Sequence, residues 1–196
     1  MKLLLATNNR HKIKELRVLL QDLDIQIDTL GELDHSLELI EDGWTFEENA
    51  LKKARTAFAY SRIPTLADDS GLEVFYLNGR PGVFSARYAG SGATDERNNA
   101  KLLAEMRGVP PRRRRAQFVA TIALVGEGYE ELARGVCEGM LAEAPRGSNG
   151  FGYDPIFLPA GYRRTYAELL DEEKNEISHR SRALRLMKEI LRSKIR

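Results

Sequence analysis

Two adjacent carboxylates, a hydroxyl and a glycine, Asp68-Asp69-Ser70-Gly71, lie directly after the apolar run Ile63–Ala67. Adjacent side chains on a strand point to opposite faces. One aspartate of the pair is therefore expected to look toward a cleft while the other turns back into the scaffold. Carboxylates at a strand end supply the hard oxygen ligands that Mg²⁺ takes alongside water and substrate phosphates. The same residues also build an Asx-type turn, in which Asp and Ser satisfy nearby backbone donors. Spacing alone leaves both readings open. Glu41-Asp42-Gly43 brings the candidate metal ligands to four or five, although acidic turns are commonly just solvated.

Thr7-Asn8-Asn9-Arg10-His11-Lys12 sits where a first strand hands over to a first helix. A phosphate there meets unpaired backbone N–H groups, the positive end of the helix dipole and Lys12. The glycines of a P-loop are absent, and ordinary N-capping by Asn9 explains the segment equally well. Phe151-Gly152-Tyr153-Asp154-Pro155 spaces two aromatic rings by glycine, which offers a stacking surface for a base. Asp154, held extended by the following proline, is placed to accept from a base N–H. Alternatively, both rings plug the edge of a sheet. Ser178 is an N-cap candidate for the last helix, which projects His179 and Arg180 from the helix start, with Lys174 just upstream. Arg suits carbonyl and phosphate acceptors because it offers only donors; His179 also reads as a surface residue.

These groups need a scaffold, and the hydrophobic periodicity supplies one. Lys2–Ala6 reads as a buried strand, Lys12–Leu20 as a helix and the stretch from Ile25 to Thr29 as a short strand. Thr45 and Glu48 form a capping box that launches a helix to about Tyr60. Leu72–Leu77 is expected as a strand ended by the turn Asn78–Gly82, and Thr94 opens a helix to about Arg107. Gln117–Val125 and Glu131–Leu141 are β-rich runs joined as a hairpin, followed by a loop at Pro145–Gly152. Ser178–Leu191 is amphipathic. Mixed elements of this kind indicate an α/β sheet with helices on its faces. Without repeats or low-complexity linkers, residues 1–196 read as a single domain.

A chain of 196 residues, 42% hydrophobic and 30% charged, is that of a globular protein with one sizeable core. Its net charge of +1 argues against a nucleic-acid or membrane partner. Arg112-Arg113-Arg114-Arg115 has no wider basic patch or interleaved aromatics, so it reads as a solvated loop or charged edge. Cys137 is the only cysteine, which excludes an intrachain disulfide, suits a reducing compartment and reads as core. The apolar start is too short for a signal or membrane segment, so a cytoplasmic protein is expected.

Taken together, Thr-x-Asn-x-x-Lys, Glu-x-Gly-x-Thr-Phe-x-Glu-Asn-Ala, Ala-Asp-Asp-Ser-Gly, Ser-Ala-Arg-Tyr, Phe-Gly-Tyr-Asp-Pro and Ser-His-Arg form a set in a characteristic order from Thr7 to Arg180. The chain resembles the inosine triphosphate pyrophosphatase family, the house-cleaning dITP/XTP pyrophosphatases. Asn8 stands where many relatives carry glycine. The resemblance implies an α/β fold with a mixed central β-sheet and flanking helices, two lobes around a substrate cleft, and a homodimer. It further implies Mg²⁺-dependent hydrolysis of a nonstandard purine nucleoside triphosphate to the monophosphate and pyrophosphate. By position, Thr7, Asn8, Asn9, Arg10, His11 and Lys12 bind the triphosphate, while Glu41 and Asp69 ligate the metal. Asp69 is also the proton acceptor and Ser70 contacts substrate. Phe151, Gly152, Tyr153, Asp154, Lys174, His179 and Arg180 line the base end. A Maf-type pyrophosphatase acting on pyrimidine or modified nucleotides is one alternative. A nucleotide- or nucleic-acid-binding module without turnover is another.

Overall fold

The computed structural model describes residues 2–33 and 37–194. β1 (Lys2–Leu5) buries all but its first residue. α1 (Arg10–Leu20) starts at Asn9, whose side chain accepts from the N–H groups of His11 and Lys12. β2 (Gln26–Thr29) returns parallel to β1 and runs into the short α2 (Leu30–Leu33). α3 (Phe46–Ser61) opens with the Thr45/Glu48 capping box read from the sequence. β3 (Thr65–Val74) follows, then α4 (Asp95–Glu105), capped by Thr94. β4 (Arg115–Gly126) and β5 (Tyr129–Leu141) are joined by two residues, and so short a link makes a hairpin. β6 (Phe157–Pro159), α5 (Asp171–Ile177) and α6 (His179–Lys194) complete the chain.

The strands form one mixed sheet of order β2-β1-β3-β4-β5-β6, with β1 parallel to β2 and β3, and β5 antiparallel to β6. The chain divides into two compact units. The first takes residues up to Asp69, Ala120–Gly135 and those from Arg180 on. It has two apolar clusters, one per sheet face. Leu3, Leu5 and Leu66 pack with Leu16 and Leu20 of α1 and with Leu184, Met187 and Leu191 of α6. Leu4, Ala6 and Ala67 pack with Ala50, Ala54 and Ala57 of α3. Each fully buried leucine contributes about 1.5–3 kcal/mol, so the alternation along β1 and β3 decides which helix lies on which face. The second unit, Ser70–Val119 with Val136–His179, has its own core around Leu72, Leu102, Met106, Cys137 and Ile156. There Phe118 meets Phe157 edge-on at 4.7 Å and stacks on Tyr166 at 5.7 Å.

Several features settle or depart from the sequence-based expectation. Asp68, Asp69 and Ser70 lie inside β3, so of the two readings left open the strand holds and the turn does not. Both aspartates have ionic partners, so their carboxylates do not compete for the strand's backbone donors. The strand expected over Leu72–Leu77 ends at Val74, and Phe75–Leu77 winds into a 3₁₀ turn. The arginine tract is not uniformly solvated. Arg114 is buried, donating to the carbonyls of Met106, Leu141 and Ala142 at 2.7–2.9 Å. β6 and α5 were not foreseen, because segments this short carry little periodic signal.

Candidate active site

β3 sorts its two carboxylates onto opposite faces of the first unit. Asp68 shares a face with Leu66, beneath α1 and α6, and is 1% exposed. Lys12 Nζ lies 2.6 Å from its Oδ2, and the Arg180 guanidinium approaches both carboxylate oxygens at 3.4–3.5 Å. Arg180, itself 1% exposed, also pairs with Glu15 of α1. Burial alone would raise the Asp68 carboxyl, but Arg180 and Lys12 outweigh it and hold the group well below the usual carboxylate range. Burial would likewise lower Arg180, yet Asp68 and Glu15 push it further up.

Asp69 shares the other face with Ala67, toward α3. Lys53 Nζ, on that helix, lies 3.2 Å from Asp69 Oδ1, pairs with Glu41 and donates to the Asp68 carbonyl at 2.8 Å. Asn49, one turn earlier, donates to Asp69 Oδ2 at 3.1 Å and accepts from the Gly43 N–H at 2.8 Å. A larger residue at Gly43 would have to displace this contact, because an added Cβ would sit 2.8 Å from Asn49 Oδ1. Burial raises the Asp69 carboxyl, the neighbouring Glu41 charge adds to that, and Lys53 and Lys12 do not compensate. Lys53 is raised despite its burial, because one ammonium serves both Asp69 and Glu41.

The remaining anticipated residues divide by unit. At the start of α1, Asn8, Asn9, Arg10 and His11 are exposed, and Thr7 Oγ1 accepts from the Asn9 N–H. Asn9 thus occupies two of the N–H groups that were candidates for phosphate. In the second unit, Phe151, Gly152, Tyr153 and Asp154 form a tightly held loop. Asp154 is buried at the head of a 3₁₀ turn rather than extended. Its Oδ2 accepts from Lys174 Nζ at 2.6 Å and from the Phe151 N–H at 2.9 Å. Lys174 Nζ lies 5.0 Å from the Phe151 ring centre, within cation–π range. Gly150, at φ +75°, leaves room for this carboxylate, because a Cβ there would overlap Asp154 Oδ2. Tyr153 is buried and its hydroxyl donates to the Ser85 carbonyl at 2.8 Å. His179 stacks flat on Phe118, 4.7 Å between ring centres, and Ser178 is buried between α5 and α6. Ser70 follows Asp69 on β3 and is partly buried.

Sequence reasoning passed over Lys53, gave Asn49 no role beyond its place in a motif, and passed over Glu15. A signal for the first two exists: Asn49 and Lys53 fall on the same helical stripe as Phe46, Ala50, Ala54 and Ala57, and a lysine on an apolar stripe needs a buried anion. Asp42, by contrast, is outside the centre and pairs with Lys52 at the surface.

A mixed α/β sheet with buried, ion-paired carboxylates on both faces of one strand in the first unit, and a pinned aromatic loop in the second, defines the class to which the chain is compared. The Ham1 family model matches residues 3–190. This chain belongs to the Ham1 family. The dITP/XTP pyrophosphatase of Clostridium perfringens is 46% identical to it, over 97% of each chain. That of Desulforamulus reducens is 49% identical, over 97% of this chain and 96% of its own. The Staphylococcus aureus Ham1 protein superposes with a TM-score of 0.89 at 40% identity, covering 99% of this chain and all of its own. The nucleoside-triphosphatase / dITP/XTP pyrophosphatase of Mycobacterium abscessus gives 0.78 at 45% identity, covering 95% and 98%.

Proposed function

We propose that the chain hydrolyses ITP, dITP and XTP to the monophosphate and pyrophosphate, clearing nonstandard purines from the nucleotide pool as a Mg²⁺-dependent, cytoplasmic homodimer. Relatives at 46–49% identity that carry the name dITP/XTP pyrophosphatase support the reaction. The observation that supports it most within the molecule is the convergence of Glu41 and Asp69 on a single ammonium, Lys53.

That convergence also bears on the metal. Two carboxylates are the donor set Mg²⁺ takes when water and substrate phosphates complete its shell. Among the described residues, no cluster of three or more His, Cys, Asp or Glu side chains forms a closed metal cage. The pair therefore suits a metal that arrives with its triphosphate. Bound Mg²⁺ supplies charge neutralisation on the phosphates and a more acidic water.

The chain's own groups do the rest. Asp69 orients the attacking water and takes its proton as the water oxygen bonds to the α-phosphorus. The bond from that phosphorus to the bridging oxygen breaks, and pyrophosphate leaves. Lys53 and Asn49 fix the Asp69 carboxylate, so its placement needs no reorganisation at the moment of reaction. Lys12, oriented by Asp68, neutralises phosphate charge together with the side chains of Thr7–His11. Phe151, Gly152, Tyr153, Asp154 and Lys174 receive the purine, with His179 contributing a donor for its 6-keto oxygen, while Arg180 stays committed to Asp68 and Glu15. Adenine presents an amino donor at that position, and a buried donor left unpaired costs about 1–3 kcal/mol. ATP is thereby disfavoured.

A nucleotide panel with Mg²⁺, measuring pyrophosphate and orthophosphate separately, tests this reading. Equal pyrophosphate and monophosphate from ITP and XTP, abolished by EDTA, is the expected outcome. Orthophosphate as the first product would overturn it.

A further inference from the structure

The aromatic loop is held from a direction its own motif does not reveal. Asp95 and Asn99 stand one turn apart on α4, and residues so spaced share a helix face. Between them they take both polar groups of one residue. The Gly152 N–H donates to Asp95 Oδ2 at 2.6 Å, and Asn99 Nδ2 donates to the Gly152 carbonyl at 2.9 Å. Because Nδ2 must face that carbonyl, the amide orientation of Asn99 is determined. Asn99 is 6% exposed, so its bond is shielded from water, whereas Asp95 is exposed.

Gly152 has φ +62°, a conformation that glycine tolerates but does not by itself select. Its flanking peptides control where the Phe151 ring points. Without α4, the loop retains the bonds of the Phe151 N–H to Asp154, of the Asp154 N–H to the Phe151 carbonyl and of the Tyr153 hydroxyl to Ser85, which hold the flanks of the loop but leave the Gly152 N–H and carbonyl without their α4 partners. All these residues lie in the second unit.

We propose that Asp95 and Asn99 are positioning residues for the purine: by gripping the Gly152 peptide groups they set the plane of the Phe151 ring on which the base stacks. This rests on the nucleotide reading above. An ordered ring loses less freedom when a base docks, so the clamp acts on binding of the base and not on the chemistry at phosphorus.

Steady-state ITP kinetics and the inhibition constant of pyrophosphate, which has no base, separate these effects. Asn99→Ala is expected to raise KM for ITP about tenfold, the size of one shielded hydrogen bond. Asp95→Ala is expected to raise it about threefold, its bond being open to solvent. In both, kcat stays within about twofold and pyrophosphate inhibition is unchanged, as expected for a loss confined to ground-state binding. Asp95→Asn keeps an acceptor oxygen and should restore the parent KM. Should Asn99→Ala fail to fold, Asp95→Ala and its rescue decide alone. An unchanged KM in Asp95→Ala, or a parallel loss of pyrophosphate binding, overturns the proposal. If the parent protein releases no pyrophosphate from ITP, the proposed function fails instead. The clamp is then judged by the Gly152 amide, whose hydrogen exchange must accelerate in Asp95→Ala.

Discussion

Asp68 and Asp69 are neighbours in sequence with the same side chain and nearly equal burial, yet they do opposite things electrostatically. Asp68 faces Lys12 and Arg180, whose charges outweigh its burial. Asp69 shares Lys53 with a second carboxylate, Glu41, and its cations do not offset its burial, which leaves it under-neutralised. The strand's alternation turns one into a structural hub and leaves the other with charge to spare for a metal or a proton. Burial does not separate the reactive carboxylate from the structural one. The balance of the surrounding charges against that burial does.

The largest effect should come from the under-neutralised side. Asp69→Asn is expected to lower kcat by about a thousandfold or more, since it removes the proton acceptor while keeping the shape. Its stability in EDTA should be unchanged or higher. A folded carboxyl raised above its ordinary value is a cost at neutral pH, and the substitution removes that cost. Near-normal turnover, or a marked loss of stability, would break the contrast.

Asp68→Asn should show the reverse balance, a loss of about 3 kcal/mol in denaturant unfolding, because it leaves buried cations short of a counter-charge. A carboxyl lowered in the fold stabilises above its unfolded value of 3.8, and that contribution disappears as pH falls through the lower folded value. The acid limb of the parent's stability profile should therefore flatten in this variant. Asn49→Ala comes next, at about 1–2 kcal/mol, since it strips a hydrogen bond from Asp69 and strands the Gly43 N–H. Smallest is Arg55→Ala. It removes the bidentate pair with Glu130 on the same helix's exposed face and should leave the thermal midpoint within error.

Much of this was legible in the residues themselves. The Thr45/Glu48 capping box, the hairpin and the α/β class follow from local rules and came out as expected. The two aspartates were assigned to opposite faces from strand geometry alone, although a turn competed with that reading. Their partners were harder. Lys12 was visible as part of a motif, but Lys53 and Glu15 are ordinary charged helix residues until the strand between the helices is in place. Arg114 was hidden by its neighbours, because in a run of four arginines nothing marks the one that turns inward. Asp95 and Asn99 were invisible as partners of Gly152 because more than 50 residues separate them.

The division of the chain has a consequence for how the protein is made. The backbone passes between units at Asp69–Ser70, Val119–Ala120, Gly135–Val136 and His179–Arg180. The unit that begins first is therefore the last whose residues are all synthesised, because Arg180 and the rest of α6 belong to it. On the ribosome the second unit has its full set of residues once His179 has emerged. The first must wait with the apolar faces of β1 and α1 uncovered until α6 follows, reversing the N-terminal-first order usual for domains folding during synthesis. A nascent chain stalled before Arg180 would be a natural client for chaperones, and its Asp68 would still lack one of its two cations.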